Sequence, residues 1–368
     1  MPILERWLVP ALGALAVLPP AAVRAQQPAM TFEEYQPRST LVVPAHPRPR
    51  AKYPFIDVHG HQTLAPSAAD LDRLVGEMDA MGMRVMVNLS GRQGDRLGRG
   101  IESYARYRDR FVFFANLEFR GIDDPGWGEA AAAQLERDVR AGAVGLKIFK
   151  NLGMDLRDGQ GRRVPTDDPR IDPVWKKAGD LGIPVLIHTA EPPAFFDPID
   201  RYNERWLELT QFPNRARPAG RYPPFDSLLA EQHRLFRKHR NTRFIAAHLD
   251  WLGADLARLG RLLDSMPNMY TEIGAVLYEL GRQPRFAREF LIRYQDRVMM
   301  GKDAYEASEF PVYFRVLETA DEYFDYYRRR HAFWKMYGLD LPDEVLRKIY
   351  YRNALRVIPG IPRGGFPE

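Results

Sequence analysis

The chain contains no cysteine among its 368 residues. Disulfide bridges and thiolate metal ligands are therefore excluded, and any metal site must be built from His, Asp, Glu or Lys side chains. The lack of thiols also suits an oxidising compartment, in which a free thiol is a liability. A lipid anchor that needs an N-terminal cysteine is excluded for the same reason.

Features typical of nucleic-acid and dinucleotide binding are missing as well. The net charge is only +5, from 53 basic and 48 acidic residues, and no basic block is interleaved with aromatic residues. The glycine-rich segment SGRQGDRLGRG (90–100) lacks the G-x-G-x-x-G spacing of a dinucleotide site. We therefore expect a small-molecule substrate and no nucleic acid. A homodimer remains open.

The only long apolar run, WLVPALGALAVLPPAAV (7–23), is interrupted by prolines and is shorter than the ~20 residues that span a bilayer. It ends in a small-x-small pattern that signal peptidases cut. The sequence therefore predicts a signal peptide over 1–25, an exported protein that is periplasmic or secreted, and no membrane span after cleavage. A proline-rich extended arm over 26–52 and a single domain over 53–368 follow.

Eight short apolar runs alternate with amphipathic helical patterns after the arm. The runs show little alternation, as expected for parallel strands buried on both faces. Eight repeats of strand and helix favour a (β/α)8 barrel, a TIM barrel, over an open doubly wound sheet. The predicted strands are 53–58, 83–89, 111–117, 143–149, 183–188, 242–248, 268–273 and 297–301.

Ionisable residues fall at the ends of these strands. His59 and His61 end the first, His188 the fifth and His248 the sixth, and Asp303 follows the eighth. Active sites of such barrels lie at this C-terminal face, so these residues should converge. The two histidines of H-x-H point to one side of an extended chain and can reach one cation. Two histidines hydrogen-bonded to backbone are the simpler reading of H-x-H alone.

The other four histidines lie outside strand ends, and we interpret them as surface residues. They are His46, His233, His239 and His331.

The segments FIDVHGH, VGLKIFK, VLIHTAEP, FIAAHLD, MMGKDAY and YYRNALRVI resemble those of the amidohydrolase superfamily. In detail they are similar to the amidohydrolase-related family that includes aminocarboxymuconate-semialdehyde decarboxylase-like enzymes. The resemblance extends over 53–361. Lys302 departs from the Ser or Thr that the family usually has there, and Glu272 stands where many members have Asp.

The resemblance implies one divalent metal ion, zinc before manganese or iron, bound by His59, His61, His188 and Asp303. It also implies that the ion activates water, that Asp303 moves the proton, and that His248 stabilises an oxyanion or acts as an acid. A hydrogen bond from His248 to a loop residue, Asp250, is the alternative role.

Lys147 lies inside the fourth strand and has two readings: it bridges two metal ions, or it faces the substrate of a one-metal site. We favour the second, with Arg92 and Glu272 as further substrate contacts. The loop of Arg92 suits a carboxylate or phosphate, although it also reads as a solvated loop. A long aromatic insertion over 191–225, after strand five, is predicted to be a lid.

These features lead to three hypotheses of function. The first is a hydrolase that cleaves an ester, lactone or amide bond of a small polar, anionic substrate. The second is a non-oxidative decarboxylase of an aromatic or unsaturated carboxylic acid. The third is an inactive periplasmic protein that only binds a small molecule.

Overall fold

The computed structural model describes residues 30–31 and 34–367. The chain divides into two compact units, residues 1–38 and residues 39–368. The described residues of the first unit form one turn and no helix or strand. The predicted signal peptide, 1–25, lies outside the described residues. Within the described part of the chain, no helix has both the length and the apolar character needed to cross a membrane.

The second unit contains a sheet of eight parallel strands, in which each strand pairs with the next along the chain. Strands and helices share one continuous hydrophobic core, because helices cover the outer face of the sheet and side chains fill its interior. All eight predicted strands are present, and the (β/α)8 barrel is confirmed. The strands are β1 (Phe55–Gly60), β2 (Met83–Asn88), β3 (Phe111–Asn116), β4 (Ala143–Ile148), β5 (Val185–Ile187), β6 (Phe244–Ala246), β7 (Met269–Glu272) and β8 (Val298–Met299).

Two hydrogen bonds join the first strand to residues that directly follow the last strand. The N–H of Val58 donates to the carbonyl of Met300 at 3.0 Å, and the N–H of Asp303 donates to the carbonyl of His59 at 2.7 Å. A parallel bridge between Gly60 and Asp303 lies at the same seam. The ends of the sheet therefore meet beside the predicted site residues.

Helices connect the strands and cover the barrel. In α1, Ser67 accepts from the N–H of Asp70 and so caps the N-terminus, while Gly82 ends the helix with a left-handed φ of 86°. Apolar residues on one side of each long helix pack on the sheet. The helices are α1 (Ala68–Met81), α2 (Gly94–Ser103), α3 (Trp127–Arg140), α4 (Asn151–Met154), α5 (Asp172–Asp180), α6 (Trp206–Gln211), α7 (Phe225–Lys238), α8 (Leu256–Ser265), α9 (Leu277–Arg282), α10 (Pro284–Arg293), α11 (Phe310–Glu318), α12 (Asp343–Arg347) and α13 (Asn353–Val357).

The segment predicted to be a lid, 191–225, contains the short helix α6 and two single turns. Arg205 fixes it to the rest of the barrel unit: this buried guanidinium donates to Glu208 and to the hydroxyl of Tyr278, and lies 2.8 Å from Nε2 of His331. These contacts anchor the segment to the barrel. Opening and closing of the segment remains a prediction.

Two of the four histidines assigned to the surface are buried instead. His233 is 5% exposed and His331 is 1% exposed. The prediction was wrong because each ring has a buried polar partner that the sequence did not reveal: Asp250 for His233 and Arg205 for His331. His46 is exposed, as predicted, and lies in an arm that has no helix or strand where it is described.

Candidate active site

The five predicted ligand and catalytic residues lie at one end of the barrel. His59 is the fifth residue of β1 and His61 follows that strand, while His188 and His248 follow β5 and β6. Asp303 lies beyond β8 and is tied to β1 by the bond to the His59 carbonyl. The strand ends thus bring together residues that are up to 244 positions apart.

His59, His61 and Asp303 form a compact group, in which one potential ligand atom from each lies within 4.8 Å of the others. Oδ1 of Asp303 is 3.7 Å from Nε2 of His59 and 3.6 Å from Nε2 of His61. The side chain of His59 is fully buried, whereas 27% of His61 and 33% of Asp303 is exposed. The group is therefore open to the barrel mouth.

The other ring nitrogen of each histidine is held by a neighbour. Nδ1 of His59 is 2.9 Å from Oε1 of Glu272, and Nδ1 of His61 is 2.9 Å from Oγ of Ser90. Because an ionised carboxylate only accepts, Nδ1 of His59 carries the proton and Nε2 carries the lone pair. With Ser90 as the acceptor, Nε2 of His61 is free in the same way. Such partners orient histidines that bind metal ions.

His188 is linked to this group through His248. Nδ1 of His248 lies 2.8 Å from the carbonyl of Gly274, and its Nε2 lies 3.3 Å from Nδ1 of His188. Since the carbonyl only accepts, the hydrogen-bond network assigns a proton to Nδ1 of each ring and leaves Nε2 of His188 unprotonated. That atom is buried and has no hydrogen-bond partner among the described residues, which suits a metal ligand.

Glu272 lies behind the histidines. It is fully buried, and besides Nδ1 of His59 it accepts from the N–H groups of His248, at 2.7 Å, and Gly274. Its carboxylate fits only because residue 301 is glycine: a Cβ on Gly301 would lie 2.2 Å from Oε2. This position lets Glu272 orient His59 and the backbone at His248. The substrate contact predicted from the sequence stays a prediction.

Strained backbone accompanies the site. Four consecutive residues after β6, from His248 to Trp251, have φ between 52° and 60°, a left-handed conformation that costs about 1–2 kcal/mol per residue. Asp250 holds this turn by accepting from Nε2 of His233 and Nε2 of Gln232 in α7. The alternative bond between His248 and Asp250 is therefore absent, because both groups have other partners.

Burial and neighbouring charges set the protonation states. Burial, reinforced by the charge of Lys147, lowers the pKa of His61 to about 4 and that of His59 well below 6.5. Burial also lowers the pKa of His188 well below 6.5. For Asp303, burial alone would raise the pKa, but the histidines and Lys147 bring it down to about 2. At neutral pH the site holds neutral imidazoles and an ionised carboxylate, the states in which they bind metals.

Lys147 is 1% exposed and points into this site from β4. Its Nζ lies 3.3 Å from Nε2 of His59. Burial lowers the pKa of Lys147 to about 8, against the opposing charges of Asp303 and Glu272. The amine and a metal ion would compete for the one lone pair on Nε2 of His59, and Lys147 lies within reach of an ion or substrate bound there.

A cavity of about 350 Å³ adjoins the site, and we call it the basic pocket. Arg92 is one of its lining residues, and two hydrogen bonds with Asn116 hold the backbone of Arg92 at a left-handed φ of 64°. The basic residues Arg96 and Arg99 of the same loop lie on α2 and do not line it. Its lining includes Arg92, Asn116, Arg120, Lys147, Phe149 and Arg157.

A family model described as Amidohydrolase matches residues 48–360. The chain belongs to the amidohydrolase-2 family. None of the curated protein sequences compared with this amidohydrolase matches it significantly.

Several solved structures have the same fold, with TM-scores above 0.5 for the three named here. They are an uncharacterised TIM-barrel protein from Bordetella bronchiseptica (16% identity, TM-score 0.53, 83% of this chain and 98% of that one), a 2,6-dihydroxybenzoate decarboxylase in complex with 2,6-dihydroxybenzoate (17%, 0.52, 83% and 99%) and a 4-oxalomesaconate hydratase from Rhodopseudomonas palustris (16%, 0.51, 83% and 95%). At these identities the likeness establishes the fold alone.

Members of the amidohydrolase-2 family are metal-dependent enzymes, and the side chains of this amidohydrolase fit a metal ion. Two imidazole nitrogens and a carboxylate oxygen converge. His188 is not part of that group: it contacts His248, and its buried Nε2 has no hydrogen-bond partner among the described residues. This nitrogen and oxygen donor set is one that zinc, manganese or iron accepts.

Lys302, the departure from the family pattern, does not disturb this centre. Its Nζ points away, pairs with Glu309 and donates to the carbonyl of Ala304 at 2.9 Å, among aromatic rings. Only its backbone N–H reaches toward the site, where it donates to Asp57 at 3.0 Å.

Sequence reasoning missed several residues around the site. Ser90 orients His61, Asn116 holds Arg92, and Arg120 and Arg157 line the basic pocket. Ser90 and Asn116 lie at or just beyond the ends of β2 and β3. Applying the strand-end rule to neutral polar residues, and not only to ionisable ones, would have found both.

Proposed function

We propose that this protein is a metal-dependent hydrolase that cleaves an ester, lactone or amide bond of a small anionic substrate. The observation that carries the proposal is the convergence of Nε2 of His59, Nε2 of His61 and Oδ1 of Asp303 at an open barrel mouth. Glu272 and Ser90 hold the two imidazoles from behind, so the lone pairs are already aimed at one point.

The proposed cofactor is one zinc ion, with manganese or iron as the other metals that these donors bind. His59, His61, His188 and Asp303 would hold it. When bound, such an ion lowers the pKa of water and polarises a carbonyl.

The remaining roles follow from positions in this chain. Asp303 is ionised at neutral pH and partly exposed, so it can accept a proton from the attacking water and pass it to the leaving group. His248 uses Nδ1 on Gly274 and Nε2 on His188. In its neutral form it therefore positions His188, and it acts as an acid only after taking up a further proton.

Decarboxylation of an aromatic or unsaturated carboxylic acid is the second candidate. The basic pocket is equally compatible with decarboxylation and with hydrolysis, because arginines beside the metal centre suit an acidic substrate in either reaction. The fold shared with a 2,6-dihydroxybenzoate decarboxylase adds support.

The test is an assay of purified zinc-loaded protein with lactones, aryl esters and phenolic acids in ¹⁸O-labelled water. Hydrolysis predicts one ¹⁸O atom in the acid product and no release of CO2. Release of CO2 without ¹⁸O incorporation would overturn the hydrolase proposal in favour of the decarboxylase. Protein carrying Asp303→Asn, purified in parallel, controls for contaminating esterases.

A further inference from the structure

We propose that the basic pocket binds a carboxylate of the substrate remote from the reacting bond, so that the substrate is a small, planar compound with two acidic groups. The inference rests on the proposed function for the position of the reacting group. Beyond that function, the inference names the class of substrate. It also proposes that Arg120 and Arg157, together with Arg92, recognise the remote carboxylate.

The basic pocket and the predicted metal centre share a wall. Lys147 lines the pocket and approaches His59 to 3.3 Å. Phe149 lines the same pocket, and its ring centroid lies 5.9 Å from that of His61. A ligand seated in the pocket is therefore next to the reacting group.

Positive charge in this pocket is not neutralised by the protein. Three arginines and Lys147 line it, against one carboxylate, that of Glu118. Among the residues that the structure describes, the guanidinium groups of Arg92 and Arg120 have no hydrogen-bond or ion-pair partner. That of Arg157 donates only to the backbone carbonyls of Met154 and Leu156.

The three pocket arginines are exposed, and three less exposed arginines elsewhere in the barrel unit provide the contrast. Arg163 pairs with Glu231, Arg170 with Asp168, and Arg205 with Glu208. A guanidinium without a carboxylate, repeated three times around one cavity, is the arrangement expected where a ligand supplies the carboxylate.

The pocket is held in shape by its own backbone contacts. Asn116 exchanges hydrogen bonds with the N–H and carbonyl of Arg92, at 2.9 Å and 2.7 Å, and its amide also donates to Leu89. Arg157 is fixed through its Nη1, which leaves Nε and Nη2 for a ligand. The backbone at Arg92 and the side chain of Arg157 therefore need little further ordering when an anion binds.

The size and one wall of the pocket limit the substrate further. A volume of about 350 Å³ lies at the small end of ligand sites. Phe149 is 36% exposed and offers an aromatic face beside the centre. Such a face suits a planar, unsaturated body between the two acidic groups.

The test measures binding, without turnover, by calorimetry on full-length zinc-loaded protein. Isophthalate, which carries two carboxylates on a planar ring, should bind at least about tenfold more tightly than benzoate. Arg120→Gln and Arg157→Gln should each weaken isophthalate binding by about tenfold. Arg96→Gln is the matched control: it removes the same charge from an exposed residue of α2 that does not line the pocket.

Three results would overturn the inference. They are equal affinities for isophthalate and benzoate, an unchanged isophthalate affinity in both pocket variants, and an equal loss in the Arg96→Gln control, which would indicate general electrostatic attraction. Failure of the hydrolase proposal would appear in the ¹⁸O assay and would leave these affinities unaffected.

Discussion

Replacing Glu272 with Gln should weaken metal binding without unfolding the barrel. In the native protein the carboxylate accepts from Nδ1 of His59 at 2.9 Å, from the N–H of His248 at 2.7 Å and from the N–H of Gly274. A glutamine has one oxygen for these three donors. If that oxygen stays on His59 and His248, the amide NH2 faces the N–H of Gly274, and a flipped amide abandons the other two.

The magnitude has two parts. A buried donor that loses its acceptor destabilises the fold by about 1–3 kcal/mol. Loss of the partner that orients a metal-binding histidine typically weakens metal affinity by about 10- to 100-fold, which corresponds to about 1.4–2.8 kcal/mol. We therefore expect a folded Glu272→Gln protein whose zinc Kd is raised by at least about tenfold.

The assay is competition for zinc between metal-free protein and a chromophoric chelator, with thermal unfolding of the metal-free proteins measured alongside. Glu279→Gln is the matched control, since Glu279 is also a buried glutamate but lies in α9 and has no contact with the histidines. Its zinc Kd should equal that of the wild type. A Glu272→Gln protein that binds zinc as tightly as the wild type would refute the orienting role.

Asp303→Asn should lower kcat by at least about 100-fold. If the protein only binds a small molecule, there is no turnover to lose and the substitution can change only ligand affinity. Metal analysis of protein purified without added metal should give about one equivalent, and about two would make Lys147 a bridging ligand. Burial raises the pKa of Glu279 to about 7 from 4.5. The stability contributed by the neutral carboxyl is therefore full below pH 4.5 and is lost as the pH rises through 7. The free energy of unfolding of Glu279→Gln, measured in urea, should exceed that of the wild type by up to about 3 kcal/mol at pH 8 and by nothing at pH 4. Gly301→Ala should raise the zinc Kd, because the new Cβ would lie 2.2 Å from Oε2 of Glu272; an unchanged Kd would show that Glu272 can shift without consequence.

The barrel and much of its site could be predicted because a single rule governs both. In a parallel barrel every strand ends at the same face, so His59, His61 and Asp303 could be brought together from strand order alone. Periodicity was sufficient for the strands, although β5 and β6 are shorter than predicted. The last residues of those two predicted strands, His188 and His248, lie beyond the ends of the observed strands.

What the sequence could not give was pairing between distant side chains. The buried positions of His233 and His331 depend on Asp250 and Arg205, and no local pattern reports such partners. The orienting role of Glu272 was missed for the same reason, because its donors on His59 and His248 lie far from it along the chain. Arg120 and Arg157 likewise became neighbours only when three strand ends met around one cavity.

The seam between β1 and β8 links the folding of this barrel to its chemistry. The carbonyl of His59 accepts a hydrogen bond from the N–H of Asp303 at this seam, and the side chains of the same two residues approach to 3.7 Å, between Nε2 and Oδ1. An ion held there would cross-link the first and last strands. Release of the ion and local separation of these strands would favour each other. The amide hydrogens at this junction should therefore exchange faster in metal-depleted protein than in metal-loaded protein.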